Sequence, residues 1–242
     1  KMAIYTSKTR IDLEDVGYSN KITNKAILKI LENAGARQSE TIHFGLNDME
    51  NVGFSWILLG WKVKILKRPI YNEELTINTW GRDSNRIFTY RDYEIYDESG
   101  ELCAIATSKW AIVDINTGKL RELTPEIIEK YQCETKKVFE EDYTLKLKEP
   151  VTIIRKQEYK AQRRDIDINK HIHNLYYLDY AYEVLPEEVY EAPECNNIEI
   201  MYKKQIRLND EFKCLYTKEE NQNIVTMKSE DETTLHAIIK LY

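Results

Sequence analysis

Between residues 163 and 186 the chain reads RRDIDINKHIHNLYYLDYAYEVLP. Four histidines occur in 242 residues, and two of them, His171 and His173, stand here beside Asp165, Asp167 and Asn169. Carboxylate, carboxamide and imidazole together can take a proton from water, hold that water, and donate to a carbonyl. An imidazole, with an ordinary pKa of about 6.5, suits the acceptor role at neutral pH. Read in steps of two, the five polar residues alternate with Ile166, Ile168, Lys170 and Ile172. An extended segment with that spacing puts all five on one face. The period then changes. Leu175, Leu178, Ala181 or Tyr182, and Leu185 share a helical stripe that Pro186 ends. The polar group therefore stands where a helix begins, and a helix start offers free N–H groups and a field that favours an oxyanion.

The elements that must position this group come in two sets. TNKAILKILENAG, residues 23–35, carries Ala26, Ile27, Ile30, Leu31 and Ala34 at helical spacing. Thr23 or Asn24 is its cap and Gly35 its stop. Strand-like runs follow: FSWILLGWKVKIL, ELTINTWGR, IFTYRDYEIYD and CAIATSKWAIVD, rich in β-branched and aromatic residues and separated by turn signals. TPEIIEKY (124–131) reads as a short helix with Pro at its first position. The second half repeats the order: EYKAQRRDID leads into a helix at 174–185, then NIEIMYKKQIR, EFKCLYTKE, NIVTMKS and TLHAIIKLY. The joints match as well, YNEEL (71–75) with LNDEF (208–212). The chain thus reads as a duplicated α+β domain, each half a long helix packed on an antiparallel sheet. We place the halves at 1–140 and 150–242, the boundary falling in the charged stretch 134–150 that ends at Pro150.

Composition excludes several classes. Hydrophobic content of 42% and charged content of 31% are ordinary for a globular protein, and a formal net charge of −6 argues against a nucleic-acid binder. No apolar run is long enough to span a bilayer, and the first ten residues lack the apolar core of a secretory signal. Cys103, Cys133, Cys195 and Cys214 are scattered without metal-ligand spacing and read as reduced thiols of a cytoplasmic protein. Asp165-x-Asp167-x-Asn169 opens like a calcium loop, but Lys170 and Tyr176 fill the places of its Gly and Glu. His171-x-His173 with Asp167 lacks a further ligand for zinc. We expect no metal and no cofactor.

At this point the chain resembles the acyl-ACP thioesterases of bacteria and plant plastids. Three segments carry the resemblance. TSKWAIVDINTGKLRELTPEI (107–127) is similar to the family's first-half segment, RRDIDINKHIHNLYYLDYAYEVLP to its second-half active segment, and EIMYKKQI (199–206) to its strand E-x-x-R-x-E-C. The resemblance implies two tandem hotdog domains and a cofactor-free hydrolase that frees fatty acid from acyl carrier protein. It places Asp167, Asn169 and His171 in the active-site group. The family's further carboxylate falls on Gln205, which holds water but takes no proton, and the cysteine often following it on Ile206.

Thioester hydrolysis needs a positioned water, a proton acceptor and oxyanion donors. Either His171 accepts the proton with Asp167 raising its basicity, or Asp167 accepts it while His171 and Asn169 hold the carbonyl. Amides near 172–175 would complete the oxyanion site. Polar alternation before a helix also fits capping and a solvated face, the reading kept for Asp165 and His173. The resemblance implies that the first half holds the acyl chain. Ile27, Leu31, Trp56 and Leu58 are then lining residues or, equally, core. Arg163, Arg164, Lys170, Lys203, Lys204 and Arg207 fit either a solvated edge or a docking face for the acidic carrier and its acyl-phosphopantetheine. His43 and His236 are isolated and read as structural. No nucleic acid or membrane partner is expected, and the chain acts as monomer or homodimer. The alternatives are the same chemistry on acyl-CoA, and a non-catalytic acyl-thioester sensor, which Gln205 favours.

Overall fold

In a computed structural model, residues 3–141 and 145–242 are described. The chain divides into two compact units, Lys1–Thr144 and Leu145–Tyr242. Asp142, Tyr143 and Thr144, within the expected joining stretch, lie outside the described residues.

The first unit runs β1 (Tyr5–Arg10), α1 (Asn24–Thr41), α2 (Met49–Val52), β2 (Phe54–Ile65), β3 (Glu74–Ser84), β4 (Thr89–Tyr96), β5 (Leu102–Asp114), β6 (Leu120–Arg121) and α3 (Pro125–Tyr131). Its strands are antiparallel in the order β1-β3-β4-β5-β2, with β6 on β5. The Thr23 hydroxyl accepts from the Ala26 amide at 3.2 Å and starts α1. Ala26, Ile27, Ile30, Leu31 and Ala34 form its buried stripe, and burying Ile27 or Leu31 contributes about 1.5–3 kcal/mol each. Gly35 does not stop the helix, which continues to Thr41. A Cβ there would meet the Tyr93 hydroxyl at 3.0 Å and Arg91 Cδ at 3.3 Å. The glycine lets α1 lie close against β4; it is a packing residue, not a cap. Farther along, Ile127 and Tyr131 of α3 join Phe44, Phe54, Ile112 and Leu123 in a buried cluster.

The second unit repeats the plan with β7 (Arg155–Lys160), α4 (Tyr176–Val184), α5 (Glu187–Tyr190), β8 (Asn197–Tyr202), β9 (Glu211–Glu219), β10 (Gln222–Ser229) and β11 (Leu235–Leu241). The order β7-β9-β10-β11-β8 reproduces that of the first unit. Tyr177, Leu178, Ala181 and Val184 are the buried face of α4, which packs on β7, β9 and β10. The strand expected over 197–207 ends early, at Tyr202. Its neighbour β11 carries an extra residue there: Ala237 faces Met227 and Leu235 faces Lys228, so His236 is bulged out. The bulge breaks the ladder, and Lys203–Gln205 leave the sheet.

Candidate functional site

The polar stretch before α4 is a closed turn and not the extended segment its alternation suggests. Arg163–Asp165 make one 3-10 turn, Ile166 pairs with Ile172, and the chain reverses between them. The Asp167 amide donates to the His171 carbonyl at 2.8 Å and the Lys170 amide to the Asp167 carbonyl at 3.0 Å. Lys170 takes a left-handed conformation, φ 64°. The Ile166–Ile172 bridge and the left-handed residue reverse the chain, and Asp167 reinforces the turn. Its Oδ1 accepts from the amides of Asn169 at 2.8 Å and His171 at 3.3 Å, offering the backbone a partner that a ladder cannot match. The five polar groups consequently do not share a face. Asp165 is buried and takes the Tyr180 hydroxyl, while Asn169 and Lys170 are exposed at the tip.

The same turn closes in the first unit without that chemistry. Val16 pairs with Ile22, the Gly17 amide donates to the Lys21 carbonyl at 3.0 Å, and Asn20 is left-handed at φ 59°. Asp15 is buried there against Lys29, as Asp165 is against Tyr180. Gly17, Ser19 and Lys21 thus hold the places of Asp167, Asn169 and His171. The joints repeat too: Lys21 bridges Ile70, His171 bridges Arg207, and Asn72 and Asn209 are both left-handed. The turn is a requirement of the fold, and only the second copy carries an acid, an amide and an imidazole.

Asp165 anchors this copy. Burial, then the adjacent carboxylate, pushes the Tyr180 phenol well above its ordinary value, so it stays protonated and donates. Tyr180→Phe removes that donor and leaves a buried carboxylate short of a partner. We expect a loss of about 1.5–3 kcal/mol in chemical denaturation, with the Tyr180 ring packing on Tyr159 and Phe212 retained.

His171 is half-buried, and its imidazole has no hydrogen bond to another described residue. Burial pushes its pKa below 6.5; Asp167 and Asp210 pull the other way and Arg207 adds to the lowering. The net direction is down, so the ring is neutral at pH 7 and able to accept a proton. Asp167 raises the His171 pKa, but less than burial lowers it. The imidazole in measured reach of Asp167 Oδ2 is that of His173, at 3.9 Å. Asp210, not singled out in the sequence, faces His171 from the joint turn, where its Oδ2 accepts from the Arg207 amide at 2.8 Å. Its only signal was the matched pair YNEEL and LNDEF.

Of the amides expected to form an oxyanion site, two are engaged. Ile172 donates to Ile206 and His173 to Asp165. Those of Asn174 and Leu175, at the start of α4, donate to no described residue. Gln205 is exposed on the segment that Ile172 holds through Ile206. Arg163, Arg164, Lys170, Lys203, Lys204 and Arg207 are all exposed on these two adjoining segments, with Ile168 and Leu208 exposed among them. Ile27 and Leu31 lie on the buried face of α1 and Leu58 is buried in β2. Trp56 packs edge-on to Tyr131 and Phe54, in the cluster around α3. His43 is an exposed surface residue, whereas His236 is 5% exposed and bonded to the segment carrying Gln205.

Comparison with known proteins covers both units. The model of the acyl-ACP thioesterase N-terminal domain matches residues 2–131, and that of the C-terminal domain residues 148–240. Oleoyl-acyl carrier protein thioesterase 2, chloroplastic, of Arabidopsis thaliana is 25% identical over 238 residues, 92% of this chain. The oleoyl-acyl carrier protein thioesterase of Coriandrum sativum is 25% identical over 244 residues, 93% of the chain. The matches span 65% of the length of either relative. An acyl-ACP thioesterase from Bacteroides thetaiotaomicron superimposes with a TM-score of 0.85 at 23% identity, covering 99% of this chain and 97% of that one. The 12:0-ACP thioesterase from Umbellularia californica gives 0.86 at 15% identity, covering 100% and 97%. The fold is therefore theirs, two hotdog domains in tandem.

Proposed function

The chain belongs to the acyl-ACP thioesterase family, and from that premise we propose that it hydrolyses acyl carrier protein thioesters to free fatty acid. The observation that carries the reading is the twin turn: one plan, twice, with neutral His171, Asp167 and Asn169 in the second copy only. His171 takes a proton from water, whose oxygen attacks the thioester carbonyl carbon. The amides of Asn174 and Leu175 receive the oxyanion. As the tetrahedral species collapses, the carbon–sulfur bond breaks, and the phosphopantetheine thiolate takes the proton back from the imidazolium. Asp167 stabilises that cation and Asn169 holds the water or the carbonyl, with Gln205 as a second hydrogen-bonding group on the facing segment. The reaction uses no covalent nucleophile; burial raises the thiols of Cys103 and Cys214, the latter far above its usual range.

The first unit receives the acyl chain against the apolar residues of α1 and β2. The exposed cations on 163–170 and 203–207 meet the acidic carrier. No helix among the described residues is long and apolar enough to cross a membrane, and we place the reaction in the cytoplasm. The test is thiol release from acyl-ACP and acyl-CoA of graded length. Lys203→Glu with Lys204→Glu is expected to raise KM for acyl-ACP about tenfold at low salt, with a smaller change for acyl-CoA. Equal effects on both remove the carrier from the reading. Binding without release replaces hydrolysis by an acyl-thioester sensor, the role that Gln205 in place of a carboxylate favours.

A further inference from the structure

His236 lies outside the turn, yet the second unit ties it to the turn through short links. It is the extra residue of the β10–β11 bulge, and bulges re-aim side chains beside functional sites. Its ring is buried, and Nδ1 stands 2.7 Å from the Lys204 carbonyl. With a carbonyl as acceptor, Nδ1 carries the proton. Its main-chain carbonyl accepts from the Lys203 amide at 2.8 Å. Two residues on from Lys203 comes Gln205, and after it Ile206, whose carbonyl accepts from the Ile172 amide at 2.8 Å. Arg207 then bridges His171. The segment that has left the sheet is thus held at one end by His236, with the Leu235 carbonyl accepting from the Lys204 amide at 3.3 Å, and at the other by the His171 turn. We propose that His236 is a positioning residue of the hydrolytic site, fixing Lys203–Arg207, and with it Gln205, against the Asp167–His171 turn. Burial keeps this imidazole neutral at pH 7, its pKa lying below 6.5, so the Nδ1 bond is maintained where the reaction runs.

The inference rests on the hydrolase reading, and its test separates the two. The chain 1–242 is compared with His236→Leu, which loses the donor, and His236→Asn, whose amide nitrogen takes the place of Nδ1. Amide hydrogen exchange is read at Ile172 and across 203–207, and kcat and KM on acyl-ACP are read beside it. His236→Leu is expected to speed exchange at Ile172 and 203–207 at least about tenfold, and to lower kcat by between about tenfold and a hundredfold with KM nearly unchanged. His236→Asn restores both. Combined with Gln205→Ala, the leucine variant adds little further loss, because both act through one group. Unchanged exchange at Ile172 in His236→Leu overturns the proposal, as does a fully additive double variant. A wild-type chain that releases no thiol refutes the hydrolase reading instead, and the exchange data still decide whether His236 positions the segment.

Discussion

His171→Ala is expected to lower kcat on acyl-ACP by about a thousandfold, within the range for loss of a general base, while Tm stays within about 2 °C. The two halves of that expectation have different causes. The imidazole is half-buried and has no hydrogen bond to another described residue, so truncating it removes no structural partner. The contacts that close the turn are main-chain ones, the His171 carbonyl accepting from Asp167 and the His171 amide donating to the Asp167 carboxylate. Alanine keeps both. The wild-type pH profile carries a second check. A base must be neutral, and burial lowers this ring's pKa from 6.5. The acid limb of kcat/KM therefore lies below pH 6.5, with activity falling as pH drops through the folded value. A limb centred above 6.5 would point to another group, as would wild-type turnover in the alanine variant.

Asp167→Asn carries the second large effect and separates the two assignments of the base. Asparagine retains the carbonyl oxygen that receives the amides of Asn169 and His171, so the turn persists. What it removes is the negative charge beside His171. A neighbouring opposite charge shifts a pKa by about 1–3 units, and its loss should lower kcat between about tenfold and a hundredfold. If Asp167 itself accepts the proton, the loss matches that of His171→Ala, and the imidazole becomes the carbonyl donor. Thermal unfolding tells chemistry from structure here: Asp167→Ala is also expected to fold, because the equivalent turn of the first unit closes with glycine at that place.

Much of the architecture was legible because it rests on local rules. Thr23, one of the two expected caps, starts α1, Pro125 opens α3 as expected, and the strand-like runs fall on β2 to β5. The misreadings share one cause, a tertiary contact overriding a local pattern. Gly35 looked like a stop because glycine ends helices, yet here it makes room for Tyr93 of β4. Alternation over 165–173 looked extended, but period two cannot tell a strand from a turn whose aspartate caps its own backbone. The run to Arg207 looked like one strand because the bulge that breaks it sits on its partner. The same bulge explains why His236 read as isolated: its connection to Lys204 spans 32 positions and leaves no periodic trace.

The twin turn has a consequence for how such a chain changes over generations. Its main chain closes equally well around Gly17, Ser19 and Lys21 as around Asp167, Asn169 and His171. Heritable loss of the proposed reaction therefore passes through no unstable ancestor. Silenced descendants would keep the full scaffold, and selection on stability alone would not see them. Within one molecule, the two turns already display both conditions: a bare loop, and the same loop equipped.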